Sequence, residues 1–120
     1  MKFIDVKVIE KPWGKEILLA FEDEYAGKIL EVKKGHKLSY QYHKKKKETM
    51  HVYAGKMKLV HEDGEIIMNP GDSITIHPGD KHRIEALTKL KVIEVSTSHL
   101  DDVVRVEDDY GRVTSTEFLE

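Results

Sequence analysis

Gln41 and His43 stand two residues apart in a segment that has the composition of a β-strand. Side chains alternate along a strand, so the two leave the same face and can share a ligand. Glu48 follows across a lysine-rich loop and opens the next predicted strand. A hairpin there would carry its carboxylate to the same face. His82 comes directly after the turn Pro78-Gly79-Asp80-Lys81, at the head of a further predicted strand, where a tight turn can aim a fourth donor. An amide, two imidazoles and a carboxylate make a nitrogen and oxygen set for one divalent cation. The chain has no cysteine, so thiolate ligation and disulfides are excluded. Such ligands suit Zn, Mn, Fe, Co or Ni better than Mg or Cu(I), and Zn is the expected ion. Four protein donors leave a six-coordinate ion two open positions, enough to act as a Lewis acid on a bound substrate.

The elements that must position these residues are short. Runs of about 5 to 8 residues rich in β-branched and aromatic side chains read as strands. They are Lys7 to Glu10, Glu16 to Phe21, Lys28 to Lys33, Lys37 to His43, Thr49 to Tyr53, Lys56 to His61, Glu65 to Met68, Ser73 to His77, His82 to Leu87 and Lys91 to Thr97. Between them lie Gly35, Ala54-Gly55, Asp63-Gly64, Asn69-Pro70-Gly71-Asp72 and Pro78-Gly79-Asp80, which carry the residues that tight turns require. Only Leu100 to Arg105 has a spacing compatible with a helix. The predicted class is therefore all-β. Many short antiparallel strands with no covering layer must close on themselves, so a small β-barrel or jelly roll is expected.

At 120 residues, with no linker composition and no internal repeat, the chain is expected to form a single domain over 1–120. Its apolar runs fall far short of the roughly 20 residues that span a bilayer as a helix. The start shows no secretory pattern, so a cytoplasmic location and no membrane partner are expected. A formal charge of −2 gives no global field for nucleic acid, and none is expected as a partner.

Two stretches, GHKLSYQYHKKKKETMHVYAG over Gly35 to Gly55 and GDSITIHPGDKH over Gly71 to His82, resemble the two sequence motifs of the cupin superfamily. Gln41, His43, Glu48 and Gly55 reproduce the order and gaps of the first motif, and Gly71, Gly79 and His82 fit the second. Two positions depart from the pattern. Gln41 stands where a histidine is usual, and His77 replaces a proline, with Pro78 one place on. The first departure is informative, because Leu38-Ser39-Tyr40-Gln41-Tyr42-His43 is similar to the Leu-Ser-x-Gln-x-His string of phosphomannose isomerases, and Gln41 is the only glutamine in the chain. Lys11-Pro12-Trp13-Gly14, Asp101 to Arg105 and Glu107 to Arg112 extend the resemblance to the isomerase domain of the type II phosphomannose isomerases. In that family the domain is often fused behind a nucleotidyltransferase, of which this sequence has no counterpart.

The resemblance implies a cupin-type barrel, a metal held by Gln41, His43, Glu48 and His82, and interconversion of mannose 6-phosphate and fructose 6-phosphate through an enediol. Lys28 and Arg105 also match family positions, and are expected to orient or activate an anionic sugar phosphate, an ammonium suiting an enediolate and a planar guanidinium a phosphate. The rival functions are another metal-dependent cupin enzyme, such as an oxygenase or sugar epimerase, and a sugar-binding module without turnover. Other residues invite plainer readings. Lys44 to Lys47 read as a hydrated loop, or else as a phosphate-attracting rim. His36, His51, His61, His77 and His99 are assigned to structure or surface. Trp13 reads as a packing anchor or else as a lining of the substrate mouth, and Arg83, beside His82, alternates away from the metal face. Tyr40 and Tyr42 alternate away from Gln41 and His43, toward the core or a partner, and a homodimer is expected.

Overall fold

The computed structural model describes residues 1–114. Eleven strands are present among them: β1 (Lys7–Lys11), β2 (Gly14–Phe21), β3 (Ala26–Val32), β4 (Tyr40–Tyr42), β5 (Glu48–Ala54), β6 (Met57–His61), β7 (Gly64–Met68), β8 (Ser73–Ile76), β9 (His82–Ala86), β10 (Leu90–Ser96) and β11 (Val104–Glu107). They form a six-stranded sheet ordered β1-β2-β3-β10-β5-β8 and a five-stranded sheet ordered β11-β4-β9-β6-β7. Every pairing is antiparallel. The fold is the all-β, double-stranded β-helix of the cupin type.

Period-two patterning explains which side chains the two sheets enclose. On β5, Glu48, Met50 and Val52 are buried, and Leu90, Val92 and Glu94 on β10 and His82, Ile84 and Ala86 on β9 follow the same rule. The apolar members join Trp13, Leu30, Val32, Met57, Leu59, Met68 and Ile76 in one core between the sheets. Each large apolar side chain fully enclosed there contributes about 1.5–3 kcal/mol. Gly55, which ends β5, has φ +85°, and a Cβ there would sit 2.1 Å from the Lys89 carbonyl oxygen. Both the backbone conformation and the close approach demand glycine at this motif position.

Three sequence expectations are corrected. The strand expected over Lys37 to His43 shortens to Tyr40–Tyr42, because Lys37 makes only an isolated bridge to Glu85 and His43 has already left the ladder. The helix spacing over Leu100 to Arg105 forms no helix: turns lead into β11, which pairs with β4. The segment was too short for periodicity to separate the two states. The segments carrying His43 and Glu48 also do not make a hairpin, since β4 and β5 lie in opposite sheets. The loop between them crosses from one sheet to the other.

Candidate metal centre

That crossing brings the ligand candidates together. The Nε2 atoms of His43 and His82 lie 3.3 and 3.2 Å from the same oxygen, Oε1 of Glu48, and all three side chains are buried. The two imidazole rings are 5.4 Å apart at their centroids and tilted by 50°. Each ring is held from behind: His43 Nδ1 donates to the Asp102 carbonyl at 2.5 Å, and His82 Nδ1 donates to the Asp80 carbonyl at 2.8 Å. Donation through Nδ1 fixes the tautomer and leaves the Nε2 lone pairs facing the carboxylate. His43 Nε2 has no hydrogen-bond partner among the described residues. Lone pairs of two nitrogens and an oxygen converging in a buried space repel one another unless a cation sits between them. The cluster is thus suited to a divalent ion.

The backbone around the cluster explains its precision. The Asp102 carboxylate accepts the amide N–H groups of Lys44, Lys45 and Lys46 at 3.0, 2.6 and 2.9 Å, so it ties the crossing loop to the segment that also orients His43. These amide donors hold its pKa below the ordinary value despite the opposing effect of burial. Gly79 N–H donates to the His43 carbonyl at 2.8 Å, which fastens the turn before His82 to the end of β4. Gln41 is the cross-strand partner of His82, so both side chains emerge on one face. Its Oε1 accepts from Ser39 Oγ at 2.6 Å.

Around the cluster opens a cavity of about 410 Å³ whose wall includes Gln41, His43, Glu48, His82, Lys28 and Arg105. All six residues expected at the site from sequence therefore line one space. Lys28 Nζ lies 3.3 Å from both Glu16 Oε1 and Glu94 Oε2. Burial works against its charge, but Glu94 and Glu16 outweigh it and hold the pKa above the ordinary value, so the group remains an ammonium. Arg105 lines the same wall from β11, and its Nε is buried with no hydrogen-bond partner among the described residues.

Two residues of this network were not singled out by sequence. Lys46, only 3% exposed, places Nζ 3.0 Å from Glu48 Oε2 and 3.4 Å from Glu94 Oε2, unlike its exposed neighbours Lys44, Lys45 and Lys47. The hydrated-loop reading of the lysine run is corrected at this one position. Glu94 is buried between Lys28 and Lys46, and burial together with the nearby Glu48 charge pushes its pKa up to about 7. For Glu48, burial is outweighed by contacts with His43, His82 and Glu94 and by the Lys46 charge, which hold it well below the ordinary carboxylate range. The negative charge of this acidic pair is thereby concentrated on the residue that faces the two imidazoles. The signal for Glu94 was its phase, two residues beyond Val92 on the buried face of a strand.

The remaining histidines serve elsewhere. His36 stacks on Tyr110 and shares a 2.7 Å hydrogen bond with its hydroxyl, and His51 pairs with Ser73 at 2.7 Å. His77 lies near Asp80, His99 near Thr97, and His61 accepts from the Asp63 amide. Arg83 donates to the Leu38 carbonyl, Trp13 is buried in the core and lines the cavity, and Tyr40 and Tyr42 are half-buried.

Fold and cluster define a cupin barrel with a buried two-histidine, one-glutamate centre suited to metal. The chain belongs to the family described as Mannose-6-phosphate isomerase C-terminal, whose model matches residues 4–108. It is 42% identical over 111 residues to a mannose-1-phosphate guanylyltransferase of Escherichia coli (strain K12), covering 88% of this chain and 23% of that relative. It is 32% identical over 109 residues to the alginate biosynthesis protein AlgA of Pseudomonas aeruginosa, covering 87% of this chain and 23% of that one. The chain thus spans about a quarter, 23%, of the length of these curated relatives. Similar solved structures include KdgF from Halomonas sp., with TM-score 0.72, 18% identity and coverage of 82% of this chain and 91% of that one. Another is Streptomyces Pac13, described as a nucleoside dehydratase, with TM-score 0.77, 12% identity and coverage of 90% and 93%. These structural likenesses concern the fold.

Proposed function

We propose that this domain is a metal-dependent aldose–ketose isomerase that interconverts mannose 6-phosphate and fructose 6-phosphate through an enediol. The observation that carries this reading is one cavity holding a buried metal-competent cluster together with an ammonium and a guanidinium whose buried Nε has no hydrogen-bond partner among the described residues. The family's description, Mannose-6-phosphate isomerase C-terminal, supports a sugar phosphate as the substrate.

In this reading Gln41, His43, Glu48 and His82 hold one divalent ion, Zn by preference, and the two Nδ1 hydrogen bonds fix the imidazoles for it. When bound, such an ion supplies a Lewis acid for sugar oxygens. Lys28, kept charged by Glu16 and Glu94, stabilises negative charge as it develops on the enediolate when a proton leaves C2 and returns at C1. Lys46 neutralises the far oxygen of Glu48 and so fixes the carboxylate orientation. Arg105 attracts the anionic end of the substrate.

The test is a coupled assay converting fructose 6-phosphate to mannose 6-phosphate, with added Zn, Mn, Co and Ni. Turnover that a chelator removes, metal restores and His43→Ala abolishes is the expected result. Metal-loaded protein with no turnover under any of these ions would reject the isomerase.

A further inference from the structure

Arg105 is the cross-strand partner of Gln41, and Gln41 is the partner of His82. Cross-strand partners project from the same face, so His82, Gln41 and Arg105 form one row across the sheet, running from the metal cluster to its edge strand. Two interstrand steps of ~4.8 Å place the Arg105 backbone ~10 Å from that of His82. A bulge interrupts the β11–β4 register between Arg105 and Glu107, the kind of irregularity that re-aims a side chain. The chain then returns and clamps the Arg105 backbone on both sides: Arg105 N–H donates to Thr114 Oγ1 at 2.9 Å, and Thr114 N–H donates to the Arg105 carbonyl at 3.0 Å.

This return brings in Arg112, which lines the same cavity. Its Nε and Nη2 donate to the two oxygens of Asp108 at 2.9 and 3.1 Å, and its backbone N–H donates to Asp108 Oδ2 at 2.7 Å. The Asp108 side chain is fully enclosed. The guanidinium also lies over the Tyr110 ring, 5.6 Å from its centroid. Arg112 is thus fixed in place by a carboxylate and a ring, whereas Arg105 has no ion-pair partner among the described residues and a buried Nε without an acceptor. Burial and the neighbouring Arg112 charge lower the Arg105 pKa against the opposing pull of Asp108 and Glu16, as expected of two cations close together. Across the cavity, Glu16 is already engaged by Lys28.

We propose that Arg105 and Arg112 form a two-guanidinium clamp for a phosphate monoester, at the edge of the cavity remote from the metal cluster. The clamp reads substrate length. In an open-chain hexose 6-phosphate, six bonds separate C2 from phosphorus, and at the ~1.2 Å per bond of an extended chain they span ~7 Å. With a sugar oxygen held at the His43, Glu48 and His82 cluster at one end and guanidinium hydrogen bonds at the other, that span matches the row from His82 to Arg105. Arginine suits the task because its planar fork meets phosphate oxygens in pairs. The clamp rests on the sugar-phosphate isomerase reading for the identity of its ligand, but its chemistry can be tested without turnover.

The test is calorimetric binding of sorbitol 6-phosphate and of sorbitol to the metal-loaded protein, with metal content and thermal midpoint measured for each variant. Wild type is expected to prefer the phosphate by more than tenfold. Arg105→Gln, which breaks no ion pair among the described residues, and Arg112→Lys, which keeps a charge beside Asp108, should each reduce that preference by about tenfold, the worth of a charge-assisted bond. Sorbitol binding and metal content should stay as in wild type. Wild type without a phosphate preference, or a folded, metal-replete Arg105→Gln that retains the full preference, would overturn the clamp. An arginine-dependent preference in a protein that does not isomerise fructose 6-phosphate would uphold the clamp and reject the isomerase instead.

Discussion

On β10 the inward side chains run Leu90, Val92, Glu94, and on β5 they run Val52, Met50, Glu48, so within single strands the lining passes from apolar to ionised. Strands β9 and β3 do the same, from Ala86 and Ile84 to His82 and from Val32 and Leu30 to Lys28. The backbone is identical in kind at both ends. At one end side chains meet only one another, and burial stabilises the fold directly. At the other, polar and ionisable groups have lost solvent, and the carboxyl and ammonium groups are tolerated because a partner of opposite charge stands within reach. Stability and chemistry are thus separated along the length of the strands, and the boundary falls between Met50 and Glu48 on β5 and between Val92 and Glu94 on β10.

The largest expected break in this division comes from His82→Ala. Bound metal and isomerase activity should fall by more than the ~10–100-fold that loss of an outer-shell partner costs. The urea midpoint of the chelator-treated protein should change little, because Lys46 rather than the neutral His82 ring supplies the charge opposite Glu48. Metal analysis, the coupled assay and denaturation measured together test the separation; a variant that keeps its metal but unfolds would contradict it.

Lys46→Met sharpens the comparison by making the ionised end imitate the apolar one. It would leave Glu48 and Glu94 without the ammonium that lies between them, and breaking such a buried arrangement costs ~3–5 kcal/mol. Lys46→Arg should recover most of that loss. Urea denaturation of both variants at neutral pH measures it, and a Met variant as stable as wild type would show that the lysine only fills space.

That Lys46 needed a structure, while His43 did not, marks where the sequence stops being informative. His43, Glu48 and His82 were legible because local spacing encodes them: a two-residue alternation, a loop of fixed length and a tight turn. The all-β class was legible for the same reason. Lys46 sits among four identical residues, and what distinguishes it is Glu94, remote in sequence and brought near only when β10 pairs with β5. The crossing of His43 and Glu48 between sheets was hidden likewise, since a hairpin and a sheet-to-sheet crossing have the same turn composition. Strand β11 was obscured by its brevity, and Arg112 by lying in a turn whose position depends on Asp108 and Thr114 contacts rather than on any periodicity.

At the apolar end the corresponding test is Leu90→Ala. Leu90 is fully buried, and truncation there should cost ~2–5 kcal/mol through lost burial and a residual cavity. Metal stoichiometry at saturation should stay at the wild-type value. A lower midpoint with unchanged metal binding supports the division, and metal loss in this variant would show that the two ends are mechanically coupled.

The smallest effect is expected where charge and fold meet outside the barrel core, at Asp108. Burial tends to raise its pKa, but the hydrogen bonds and charge of Arg112 outweigh this and hold it below the ordinary 3.8. A carboxyl whose folded pKa lies below its unfolded one binds protons more tightly when unfolded, so stability falls as pH falls. Its contribution is present in full above pH 3.8 and is lost as pH drops through the lower folded value. Asp108→Asn should therefore be less stable than wild type near neutrality, and the two stability curves should converge in acid. The other depressed carboxyls, Glu31, Glu48 and Asp102, are common to both proteins and cancel in the difference. Equal stability of the two proteins from neutrality into acid would mean that the ion pair holds Arg112 in position without stabilising the fold. The contribution of Asp108 would then lie wholly in aiming a guanidinium.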